Sequence, residues 1–82
     1  MTYSYKPHGV CARGITFDIE DGTVTNINFI GGCSGNTQGV AALANGMNAD
    51  ELIERLGGIR CGFKSTSCPD QLAKAVAKAL EE

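Results

Sequence analysis

The sequence predicts an α+β domain: a small antiparallel β-sheet with about three helices packed on one of its faces. Three observations carry this expectation. Two runs of alternating apolar residues flank an acidic-glycine turn, which is the pattern of a hairpin. Three further segments place apolar residues at helical spacing. A Gly-Gly pair and a proline separate the last two of those segments.

The hairpin is expected over residues 10–31. In "GITFDI" the side chains of Ile15, Phe17 and Ile19 share one face, and Thr16 and Asp18 share the other. "EDGT" is a turn signal, and "VTNINFI" supplies the return strand. A two-residue Asp21-Gly22 loop would put Phe17 and Ile27 on opposite faces, which a sheet with one buried face disfavours. The expected register therefore has a three-residue loop with Glu20 opposite Val24. Phe17 then meets Ile27, and Ile15 meets Phe29. Extended outward, this register sets Cys11 opposite Cys33, with Gly14, Gly31 and Gly32 as places where a bulge would break it.

A first helix is expected from Asn36 or Thr37, with Val40, Leu43, Ala44 and Met47 as its apolar stripe and Gly46 as a stop. A second opens at Asn48 as N-cap, with Glu51 as capping-box partner, and ends at Gly57 and Gly58. A short strand is expected near 59–63. The last helix starts within "TSCPDQ", where Thr66, Ser67 or Cys68 can cap and Pro69 suits the first turn. Its buried stripe is Leu72, Ala75, Val76, Ala79 and Leu80, and Lys74, Lys78, Glu81 and Glu82 face solvent. With 82 residues and no long linker, residues 1–82 are read as one domain.

Composition narrows the function. A net charge of −2 and scattered basic residues argue against a nucleic-acid partner. No apolar run is long enough to span a membrane, and "MTYSYKPHGV" has no apolar core of a secretory signal, so a cytoplasmic location is expected. In that reducing compartment, four cysteines point to metal or redox chemistry. Nothing in the sequence indicates a catalytic triad or paired catalytic carboxylates, so a non-enzymatic role is favoured. The small core leaves a homodimer open.

Cys11, Cys33, Cys61 and Cys68 stand 22, 28 and 7 residues apart, each expected at the edge of an element and three of them near a glycine. Four is the number that closes a tetrahedral zinc or iron site, and a helix start at Cys68 suits a thiolate ligand. The spacing has no Cys-x-x-Cys pair, so two readings stay beside the metal site: a disulfide or redox pair, and buried small hydrophobes. The glycine-rich stretch 31–39 is a second candidate. Gly32, Ser34, Gly35, Asn36 and Thr37 before a helix can form an anion nest for a nucleotide or flavin phosphate, or simply a strand end and a turn. His8 reads as a surface residue before it reads as a substitute ligand. Arg13 and Arg60 lie close to cysteines and read as surface charges, or as counter-charges to a thiolate site.

"GVC" at 9–11, "FIGGCSGNTQGV" at 29–40 and "IRCGFKSTSCPDQLAKAV" at 59–76 make nearly the whole chain resemble the stand-alone TSCPD-domain family. That is a small four-cysteine family to which metal binding is ascribed, and a similar domain ends some adenosylcobalamin-dependent ribonucleotide reductases. The resemblance implies a Zn or Fe site on the four cysteines, and a partner from nucleotide reduction or iron–sulfur metabolism. The order of elements is also loosely similar to the U-type iron–sulfur scaffold, whose three ligand positions match Cys11, Cys33 and Cys68. Here Arg13 stands where that family has an aspartate, Ser67 stands where it has a histidine, and Cys61 is an additional thiol. A closed four-thiolate shell favours a metal that is held over a cluster that is handed on.

Overall fold

Asp21 and Gly22 both have positive φ, 51° and 78°, and they reverse the chain between two nine-residue strands. This is the backbone that a two-residue hairpin loop demands. In the computed structural model, which describes residues 2–7, 12–31, 34–59 and 66–81, those strands are β2 (Ala12–Glu20) and β3 (Thr23–Gly31). They are flanked by β1 (Thr2–Tyr5) and the two-residue β4 (Met47–Asn48), giving an antiparallel sheet of order β1-β2-β3-β4. Three helices complete the α+β fold: α1 (Ser34–Ala44), α2 (Ala49–Leu56) and α3 (Cys68–Leu80).

The expected three-residue loop is corrected. Glu20 pairs with Thr23 and Ile19 with Val24, so the loop has two residues. The face conflict that a two-residue loop creates is removed in mid-strand. The register shifts between Thr16 and Asp18, where Phe17 faces two residues, Asn26 and Ile27. Asn26 takes a left-handed φ of 52°, which asparagine tolerates better than most residues. Val24 and Ile27 have opposite sequence parity, yet both are buried, because the bulge turns the strand over between them. Beyond it Ile15 pairs with Phe29, as expected. A second shift follows between Ala12 and Gly14, and Ala12 pairs with Gly31. The unbroken ladder that would set Cys11 opposite Cys33 is therefore absent up to Ala12, and both cysteines lie outside the described residues.

The core lies between the sheet and the helices. Ile15, Phe17, Val24 and Ile27 from the sheet meet Ala44, Leu52, Leu72, Val76 and Ala79 from the helices. The other sheet face carries Asp18, which accepts hydrogen bonds from the Thr2 hydroxyl and from Asn26 Nδ2 at 2.7 Å. These bonds lower the Asp18 pKa below its usual 3.8, the Thr2 bond most.

α1 begins at Ser34, two or three residues before the expected start at Asn36 or Thr37, and its buried side differs from the expected stripe. Val40, Ala41 and Ala44 face the core, whereas Leu43 is 81% exposed. Met47 is not helical. Gly46, at φ 86°, ends the turn after α1 and donates to Val24 O, and Met47 then pairs with Val24 in β4. Asn48 caps α2 as expected, its side chain accepting from the Asp50 and Glu51 amides. Glu51 makes no capping box; its carboxylate takes the Arg55 guanidinium at 2.8 Å. Gly57 and Gly58 end α2. Ile59, the one described residue of the strand expected at 59–63, is in no strand. In α3 the buried stripe matches expectation except for Leu80, which is 45% exposed. No described helix is long and apolar enough to cross a membrane.

Candidate functional site

Cys68 is the first residue of α3 and the one expected ligand among the described residues. Its position is set by its neighbours. Ser67, extended at φ −151° and ψ 171°, caps the helix by accepting the Asp70 amide at 3.2 Å. The same hydroxyl donates to the Ile59 carbonyl at 2.6 Å, so one oxygen starts the helix and ties it to the chain end after α2. Pro69 suits the first turn, because that amide has no partner within the helix.

Asp70 completes the lock. It is buried, 4% exposed, and accepts from the Gly58 amide at 2.7 Å and from the Thr66 hydroxyl. Lys74, one turn on, stands 3.2 Å from the second oxygen. Thr66 in turn accepts from Gln71 Nε2 at 2.9 Å. Burial pushes the Asp70 carboxyl up, but the bonds from Thr66 and Gly58 and the Lys74 ammonium outweigh it, leaving the pKa below 3.8. Among the described residues no buried side-chain nitrogen or oxygen lacks a hydrogen-bond partner. Cys68 is thus a free thiol, 8% exposed, on the first turn of a helix whose start is held by the side chains of Thr66, Ser67, Asp70, Gln71 and Lys74.

Cys11, Cys33, Cys61 and Gly32 lie outside the described residues, as do His8 and Arg60. Ser34, Gly35, Asn36 and Thr37 are the first turn of α1 rather than part of a loop. Arg13 lies across Gly31, its Nε 3.1 Å from where a Cβ there would be. Among the described residues no three of His, Cys, Asp and Glu are grouped to hold a metal. The tie from Ser67 to Ile59 and from Asp70 to Gly58 was not read from the sequence. Its signal was present, a Gly-Gly helix stop followed within a dozen residues by a Ser-x-x-Asp helix start.

A small antiparallel sheet covered by three helices, with a cysteine on a firmly capped helix start, defines a compact cysteine-bearing α+β domain. A family model for the TSCPD domain matches residues 1–80, and the chain belongs to the TSCPD-domain family. Residues Thr66 to Asp70 spell that name, and they are the residues of the capping lock. No curated protein and no solved structure matches the chain.

Proposed function

We propose that this domain is a non-catalytic metal-binding module in which Cys11, Cys33, Cys61 and Cys68 hold one Zn²⁺ or iron ion. The observation that carries the reading is the bond from Ser67 Oγ to Ile59 O. It closes the segment that contains Cys61 onto the turn that contains Cys68, so the chain enters and leaves that segment at one place. A second pairing supports it. Cys11 directly precedes Ala12 and Cys33 follows Gly31 by two residues, and Ala12 and Gly31 are partners in the sheet.

The donor set fits such an ion. Four thiolates match the tetrahedral preference of zinc, and a closed shell of this kind is structural. The N-terminal end of the α3 dipole adds positive partial charge near an anionic sulfur. A bound ion would cross-link the hairpin to α3 in a chain of 82 residues, where the apolar core alone is small. The chemistry suits a reducing compartment such as the cytoplasm, and the family resemblance implies a partner in nucleotide reduction or iron–sulfur metabolism.

Elemental analysis of anaerobically purified protein tests this directly. A single tightly held metal is expected, lost from Cys68→Ser, and removal by a chelator should lower the melting temperature. Iron would show visible thiolate absorption and zinc would not. Metal-free protein that is fully folded and melts as the metal-treated protein does would end the reading.

A further inference from the structure

α3 lies on the sheet with its small residues toward β1. Ala75 and Ala79 leave room where larger side chains would pack, and the room is a half-open groove of about 320 Å³. That volume is at the lower end of the roughly 300–1,000 Å³ of small-molecule sites. Tyr3, Tyr5 and Phe17 form its aromatic wall. Tyr3 is the sheet partner of Phe17, and their rings stack with centroids 5.7 Å apart at 24°. Lys6 and Lys78 stand at its polar side, both exposed and neither in an ion pair with a described residue.

The charge here runs against that of the whole chain. The protein is net negative, yet among the described residues this lining has two lysines and no carboxylate. Asp18, next to Phe17, belongs to the opposite sheet face, where Thr2 and Asn26 bond it. Asp70 faces Lys74, one turn back along α3, and Glu81 follows Lys78 without lining the groove.

We propose that this groove is a binding site for a small organic anion. Ring faces take the flat or apolar body, and Lys6 and Lys78 take the carboxylate or phosphate headgroup. Cys68, the one described cysteine, does not line the groove, and the proposal uses no metal ligand.

The chain has two tyrosines and no tryptophan, and both tyrosines line the groove, so tyrosine fluorescence reports on this place alone. The stronger test is an amide chemical-shift titration of the full chain with phenyl phosphate, benzoate, inorganic phosphate and benzyl alcohol. Saturable shifts centred on Tyr3, Tyr5, Lys6 and Lys78 are expected with phenyl phosphate or benzoate, and whichever binds tighter identifies the headgroup. Inorganic phosphate and benzyl alcohol, each lacking one half of the ligand, should bind more weakly. Lys78→Ala and Lys6→Ala alter exposed side chains, and an unchanged ligand-free spectrum confirms the fold. Each should weaken binding about tenfold. No saturable shift at these residues, equal binding of benzyl alcohol, or binding unchanged in the double variant would overturn the proposal.

Discussion

The Asp70 carboxylate accepts the Gly58 amide at 2.7 Å across a sequence separation of 12, joining the end of α2 to the start of α3. With the Ser67–Ile59 bond it makes the turn around Cys68 a cross-link between two helices rather than a local cap. Asp70→Ala should lower unfolding stability by about 1–3 kcal/mol, because a buried Thr66 hydroxyl and the Gly58 amide lose their acceptor. Thr66→Val should lower it by about 1 kcal/mol. The double variant should lose less than the sum, since the two share one bond. Urea unfolding of the four proteins reads this coupling, and strict additivity would contradict the network.

Acid should loosen the same lock. The folded Asp70 carboxyl titrates below the usual 3.8, so the folded state binds that proton less well than the unfolded chain. Its stabilisation is then complete above the unfolded pKa and is lost as pH falls through the folded one. Unfolding midpoints should decline from about pH 5 downward, and Asp70→Asn should flatten that decline. An identical acid limb in Asp70→Asn would show that this carboxylate does not carry it.

The bulge at Asn26 can be tested without touching the core. Asn26→Gly and Asn26→Ala both lose the hydrogen bond to Asp18, but only glycine relieves a φ of 52°. The alanine variant should be less stable than the glycine variant by about 1–2 kcal/mol, measured by thermal or urea unfolding. Equal stability would mean that the left-handed geometry is not retained in solution.

Leu43 and Leu72 separate helical spacing from burial. Leu43 belongs to a regular apolar stripe in the sequence but is 81% exposed, so Leu43→Ser should change stability by no more than about 0.5 kcal/mol. Leu72, with no exposure, should cost about 2–5 kcal/mol on truncation to alanine. A large loss at Leu43 would point to a surface covered in the native assembly.

Much of the site's scaffold was legible. Asn48 and the start of α3 are signalled by side chains that bond to their own nearby amides, a relation contained within a few residues. The partners across the gap were not. Nothing in "LGGI" shows that Gly58 and Ile59 will meet Asp70 and Ser67, because that contact depends on how two helices lie together. The groove was missed for a related reason. Tyr3 and Tyr5 alternate like strand residues, but the short run "TYSY" becomes a strand only by pairing with β2.

What the sequence determined by itself was local: two alternating strands around an acidic-glycine turn, helix starts at Asn48 and within residues 66–68, and stops at Gly46 and Gly57-Gly58. These follow from one residue's side chain or backbone freedom acting on its immediate neighbours. Tertiary structure decided the register, the edge strands and which apolar residues are covered. A bulge at Asn26 turns β3 over so that Val24 and Ile27 both reach the core. The extra residue could sit in the loop or within the strand, and the choice between them rests on contacts with residues far along the chain.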